Sequence, residues 1–217
     1  MQIPARYNGP PGSGNGGWSA GAFARAAGVE GVPEVTLRRP PPLDTPLTGR
    51  DRSFFAPDGA LIAEVAPDGV LGEPVPPVSY EEATVASKGY PGFTDHPFPT
   101  CYVCGTERPD GLRLFPGRLP DGRAAAPWVV PSDVVTETMW AALDCPGGWS
   151  TALTGERPYL LGRMAAMVEA LPEPGSACVV VGRPDEMAGR KAFTSSTVYG
   201  PDGTRLATAR ATWIRVD

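Results

Sequence analysis

Thr136-Glu137-Thr138-Met139-Trp140-Ala141-Ala142-Leu143-Asp144 reads as a helical run, and strand-like runs follow it at Leu161 to Ala170, Ala177 to Val181, Lys191 to Tyr199 and Arg205 to Val216. The last run alternates Leu206, Thr208, Arg210 and Thr212 against Ala207, Ala209, Ala211 and Trp213, the period of two that a half-buried strand requires. Ahead of the helix, Gly111-Leu112-Arg113-Leu114-Phe115 and Ala124 to Val130 predict a hairpin around Pro120-Asp121-Gly122. A helix followed by antiparallel strands is an α+β arrangement.

The same order occurs earlier in the chain. Ser13-Gly14-Asn15-Gly16-Gly17 leads into WSAGAFARAA and then Gly28, which predicts a small-residue helix with polar N-cap candidates and a glycine stop. Strand-like runs follow at Glu34 to Arg38, Arg52 to Phe55 and Ala60 to Val65, separated by PPPLDTP and PDG turns. Phe55-Ala56-Pro57-Asp58-Gly59-Ala60-Leu61-Ile62-Ala63 matches Tyr199-Gly200-Pro201-Asp202-Gly203-Thr204-Arg205-Leu206-Ala207, each an aromatic-x-P-D-G turn entering a strand, so the two halves read as a duplication. Between them, Ala66 to Thr100 repeats Pro and Gly without sustained periodicity, and the boundary is placed there: residues 1–88 form one unit and 89–217 the other.

Composition narrows the function. The chain has 217 residues and carries 19 basic against 24 acidic groups, and neither half is basic: 7 against 10 up to Lys88, 12 against 14 beyond it. That balance excludes a nucleic-acid binder. The first residues have no apolar core of a secretion signal, and no stretch approaches the roughly 20 apolar residues of a membrane span, so a cytoplasmic location is expected. Four scattered cysteines, at 101, 104, 145 and 178, make no disulfide framework. Cys101-x-x-Cys104, with His96 five residues before and Cys145 available as a fourth ligand, is half of a zinc pattern; a tight turn with packed thiols is the expectation instead, without metal.

Three stretches resemble the hotdog-fold acyl-CoA thioesterase superfamily, in particular its phenylacetate-type members and their tandem relatives. Cys101-Tyr102-Val103-Cys104-Gly105, continuing to Pro109 and Gly111-Leu112-Arg113-Leu114, is similar to the C-F-x-C-G-x-x-N-P-x-G-L-x-L opening of such domains. Leu143-Asp144-Cys145-Pro146-Gly147-Gly148-Trp149 resembles their L-D-x-x-x-G-W segment, and Gly189 to Ile214 resembles their closing strands. Asn15-Gly16-Gly17 is similar to the family's H-G-G helix start, with Asn in place of His. The resemblance implies a tandem, or double, hotdog fold, each unit an antiparallel sheet wrapped around a central helix, with the first unit abbreviated. It also implies an acyl-CoA or similar thioester ligand and no cofactor, and leaves room for a homodimer of the two-unit chain. The one His lies in the linker, which tells against a hydratase using an Asp–His pair.

Thioester hydrolysis needs a polarised carbonyl and a carboxylate that attacks or activates water. The resemblance places the carbonyl at a helix N-terminus on one unit and the carboxylate on the helix of the other. In family register Asp144 falls opposite Ala24, so the first unit keeps the glycines and the second keeps the acid, as one composite site would leave them. The expected catalytic set is Asp144 with the backbone N–H groups of Gly16 and Gly17, and Glu137, seven residues earlier, as an alternative base. Asn15, Trp18, Trp149, Arg190 and Lys191 are the expected substrate contacts, the last two toward coenzyme A phosphates, with Arg163 a further candidate. The repeated GGWS at Gly16 to Ser19 and Gly147 to Ser150 offers a rival alignment that would weaken the composite site. A non-catalytic hotdog module that binds an acyl group or serves as a scaffold is the alternative function.

Overall fold

The computed structural model describes residues 1–151 and 158–216. Helix α1, Gly16–Ala27, starts where sequence chemistry puts it: the Asn15 side chain accepts the Trp18 N–H at 2.8 Å, and Gly28, at φ 59°, closes the far end in the left-handed conformation. Its Gly and Ala residues let a second helix approach closely. That helix, α3, Thr136–Thr151, runs antiparallel to it, so that Gly17 meets Asp144 and Trp140, and Gly21 meets Trp140 and Glu137.

Among the described residues, ten strands form one antiparallel sheet. They are β1 Glu34–Leu37, β2 Thr48–Arg50, β3 Ser53–Phe55, β4 Leu61–Ala66, β5 Gly117–Arg118, β6 Ala124–Val129, β7 Tyr159–Val168, β8 Ala177–Ala188, β9 Lys191–Tyr199 and β10 Arg205–Arg215, in the order β2-β3-β4-β1-β7-β10-β9-β8-β6-β5. The order reads the same outward in both directions from the β1–β7 pair: β1-β4-β3-β2 on one side and β7-β10-β9-β8 on the other, where β6 and β5 continue the sheet. The matched PDG turns join the corresponding pairs, β3 to β4 and β9 to β10, and they share their geometry. Gly59 and Gly203 lie at φ 82° and 81°, and Asp58 and Asp202 each accept an N–H two residues on at 2.9 Å. The β5–β6 turn at Pro120-Asp121-Gly122 is built alike, with Gly122 at φ 87°.

Both α1 and α3 pack on this sheet and share one core, which includes Phe23, Val35, Phe54, Met139, Leu143, Met164 and Trp213. Helix α3 is buried from Glu137 to Ser150, polar residues included. That burial explains a departure from the sequence reading. The helical run does not stop at Asp144 but continues through Pro146 to Thr151. Proline at 146 removes the N–H that would bond Ala142 O and strains the preceding turn. The sheet packs closely on this turn, with Ser196 Oγ donating to the neighbouring Leu143 O at 2.6 Å and Gly182 leaving room for the Pro146 carbonyl, from which a Cβ would lie 2.2 Å.

Two more departures concern the joining segments. Ala66 to Thr100 contains helix α2, Tyr80–Ser87, opened by a capping box in which Ser79 and Glu82 satisfy each other's backbone N–H groups. This helix packs on β5, β6 and β8, strands of the second half, and the preceding Val75 is tied to β9 by a bond from its N–H to Thr197 Oγ1 and by the Tyr199 hydroxyl donating to its carbonyl. Gly111 to Phe115 is not a strand. Arg113 there has φ 53°, and the segment gives its N–H groups to the cysteine turn instead, Leu112 to Tyr102 O at 2.7 Å and Leu114 to Val103 O at 3.0 Å.

Candidate active site

Helix α1 begins beside the middle of α3, and this crossing brings Asn15, Gly16, Gly17 and Asp144 together. Asp144 is 3% exposed. Its Oδ2 accepts two hydrogen bonds at 3.0 Å, from Gly17 N–H and from Asn15 Nδ2, while Oδ1 is buried with no hydrogen-bond partner among the described residues. Burial pushes its pKa up to about 7 despite the Gly17 and Asn15 donors, and the nearby Cys101 adds to the rise. A carboxyl lifted into the neutral range beside a helix N-terminus suits general-base chemistry.

A cavity of about 50 Å³ adjoins it, lined by Asp144, Asn15, Gly16, His96, the cysteines at 101, 104 and 145, Tyr159 and Trp213. A wider cleft of about 280 Å³ shares Pro10, Gly16, Leu160 and Leu161 with it and is flanked by Arg38 and Arg39. Gly16 therefore stands where cleft and cavity meet. A Cβ at Gly16 would lie 2.8 Å from Leu161 Cβ, so glycine lets the start of α1 pack against Leu161.

The helix start offers less than the sequence implied. The Gly17 N–H is spent on Asp144 and the Trp18 N–H on Asn15, which leaves the Gly16 N–H without a hydrogen-bond partner among the described residues. Trp18 stacks on Tyr7 with ring centroids 3.9 Å apart, and Trp149 sits among Tyr90 and His96; neither lines the cavity or the cleft. Glu137 is not beside Asp144's cavity either. It is buried at the other end of the helix pair, in an ion pair with Arg25 of α1.

No protein-family profile matches the chain, and no curated protein does. Solved structures do. A conserved protein of unknown function with a hot dog fold from Alicyclobacillus acidocaldarius matches all of this chain and 92% of its own, at 15% identity and a TM-score of 0.56. A candidate thioesterase II from Thermobifida fusca YX matches all of this chain and 91% of its own, at 12% identity and a TM-score of 0.59. The chain has a hotdog fold. A shorter match, a thioesterase superfamily protein, pairs 51% of this chain with 60% of its own at 16% identity and a TM-score of 0.45.

Within this hotdog fold the expected phosphate-binding pair does not line the cleft, although Lys191 pairs in register with Ile214, which does. Arg190 and Lys191 follow Gly189 in the β8–β9 turn and line neither space. Arg163, on β7, bonds Thr36 Oγ1 at 3.0 Å and pairs with Glu34 at 3.4 Å. The cations at the cleft are Arg38 and Arg39, which sequence reasoning passed over because they follow β1 in a proline-rich turn that only the fold carries to Gly16. No helix among the described residues is long and apolar enough to cross a membrane.

The third feature of the site is sulfur. Cys101, Cys104 and Cys145 are buried with their sulfurs within 4.8 Å of one another. The Cys101 thiol is held well below its usual range, first by the Cys104 and Cys145 thiols and then by the Cys104 and Val103 backbone N–H groups, against its burial. Burial pushes the Cys104 and Cys145 thiols up.

Proposed function

We propose that the chain is an acyl-CoA thioesterase-like hydrolase made of two hotdog units, with one composite site between their helices. The sheet order that repeats outward from β1–β7, the matched PDG turns and the antiparallel α1–α3 pair support the two-unit reading. What carries the function is Asp144: a buried carboxylate with one unpartnered oxygen, in the cavity that meets the cleft at Gly16. With the thioester carbonyl at Gly16, the free N–H and the helix dipole stabilise the oxyanion. Asp144 then takes the proton of an attacking water, or attacks the carbonyl carbon itself. The tetrahedral intermediate collapses with loss of the C–S bond, and the departing thiolate takes a proton, from Asp144 in the first case and from water in the second. In the second case that water also hydrolyses the Asp144 acyl anhydride, which releases the acid and restores the carboxylate.

Coenzyme A would lie along the cleft with its phosphates toward Arg38 and Arg39, leaving the acyl group the 50 Å³ cavity. The test is thiol release, followed with a chromogenic reagent, across short, long and aromatic acyl-CoAs. Acetyl- and propionyl-CoA are expected to turn over best, since the cavity beside Asp144 is small. Arg39→Glu is expected to raise KM for acyl-CoA by roughly tenfold, a loss of one charge-assisted phosphate contact. Its kcat, and turnover of an N-acetylcysteamine thioester that has no phosphate, should stay unchanged.

The binding or scaffold reading is favoured by one observation: Gly17 N–H, which an oxyanion would need, is bound to Asp144. Coenzyme A thioester binding by calorimetry without thiol release from any substrate would establish that reading instead.

A further inference from the structure

Cys101 and Cys104 sit in a turn, and Cys145 comes to them from the middle of α3. Zinc bound to thiolates at about 2.3 Å in tetrahedral geometry sets its sulfurs roughly 3.8 Å apart. The three sulfurs here, within 4.8 Å of one another, are therefore about one ångström from a ligating triangle, well inside what a side-chain torsion supplies. We infer that Cys101, Cys104 and Cys145 form a binding site for a thiophilic divalent metal of the zinc class, with its fourth position toward the cavity that Asp144 also lines.

The surroundings fit bound thiolates better than packed thiols. The turn is fixed before any metal arrives: Gly105 N–H closes on Cys101 O at 2.9 Å, and the N–H groups of Leu112 and Leu114 hold Tyr102 and Val103 from outside. Only glycine fits at 105, where a Cβ would lie 2.5 Å from Cys101 N and Pro99 O. Asn15 Nδ2 reaches Cys101 Sγ at 3.9 Å, and the buried Trp149 indole N–H, which has no hydrogen-bond acceptor, lies against the Cys104 thiol. N–H groups gathered around sulfur compensate the net negative charge that three thiolates and one divalent cation leave. Binding takes the cysteines as thiolates, releases to water whatever S–H protons they still carry, and changes no oxidation state.

His96 is not the fourth ligand. Its Nδ1 accepts the Phe98 N–H at 2.9 Å, which puts the proton on Nε2, where it is given to Cys104 O at 3.0 Å. Both ring nitrogens are spent, so water from the cavity completes the coordination. The metal would fasten the cysteine turn to α3 one residue from Asp144. The site stands apart from the hydrolase reading, because metal content is measured without any substrate.

The test is elemental analysis of the full chain purified from zinc-supplemented culture, followed by titration of the metal-free protein with cobalt(II). One zinc per chain is expected, with an intense near-ultraviolet thiolate-to-cobalt band. Cys101→Ser, Cys104→Ser and Cys145→Ser should each weaken zinc binding by roughly tenfold or more, whereas Cys178→Ser, on β8, should leave it intact. Should the serine variants fail to fold, alkylation of the wild type decides: bound zinc must shield the three clustered thiols, and removing it must expose them to the reagent. Substoichiometric zinc in folded wild type, a cobalt adduct without the thiolate band, equal loss in Cys178→Ser, or a disulfide within the cluster would each overturn the site.

Discussion

Asp144→Asn is expected to lower thiol release from the best acyl-CoA by roughly 10²- to 10⁴-fold, the usual worth of a positioned general base. The substitution is nearly isosteric. The Asn carbonyl oxygen can accept both the Gly17 N–H and the Asn15 Nδ2 bonds that Oδ2 accepts now, so the α1–α3 crossing keeps its links. It also relieves the fold of a buried carboxylate whose Oδ1 has no partner. Thermal unfolding should accordingly show a melting temperature no lower than that of the wild type. This combination separates the functional from the structural role. A carboxylate kept only to cap helix α1 would leave turnover intact in this variant, because the Asn carbonyl preserves the capping bonds. Unaltered hydrolysis in Asp144→Asn would remove Asp144 from the mechanism, and Glu137, engaged with Arg25, could not take its place without breaking that pair.

Gly17→Ala is expected to be the most disruptive single methyl addition at the site. The new Cβ would lie 2.6 Å from Asp144 Cβ and 2.6 Å from the Trp140 carbonyl, neither of which is the flexible end of a side chain. Relief requires α1 and α3 to separate, and overpacking of this kind costs about 3 kcal/mol, or roughly 10 °C in melting temperature for a chain of this size. Separation also lengthens the Gly17 N–H bond to Asp144, so hydrolysis should fall with stability. Gly89→Ala is the matched control: its Cβ would find only the Ala86 carbonyl, at an ordinary 3.5 Å, and little change is expected. Equal melting temperatures for the two variants would mean that the helices are not packed as closely as described. The same close approach accounts for Gly21, which faces Trp140 and Glu137 one turn along.

The parts of this molecule that local chemistry dictates were legible in the sequence. Asn15 and Gly28 bound α1 because a side-chain acceptor and a left-handed glycine act within a few residues of themselves. The PDG turns are likewise local, and they revealed the repeated order of helix and strands, whereas the alternation of β10 holds only from Ala209 to Trp213, Leu206 to Thr208 being buried on both faces. The meeting of Asp144 with Asn15 and Gly17 also followed from the sequence, though only through the family register set beside it.

Tertiary structure decided what depends on distant partners. Pro146 predicts a break, yet α3 passes through it while packed against Ser196 and Gly182, on strands more than 30 residues away in sequence. Gly111 to Phe115 has a strand's composition and no strand, since the cysteine turn takes its N–H groups first. The Gly17 N–H is bonded to Asp144, and Arg38 and Arg39 line the cleft, because the crossing of α1 with α3 and the path after β1 fix where these groups lie. Cys145 joins Cys101 and Cys104 for the same reason: spacing along the chain marks pairs of ligands, and the third arrives only when a helix from elsewhere is packed against the turn.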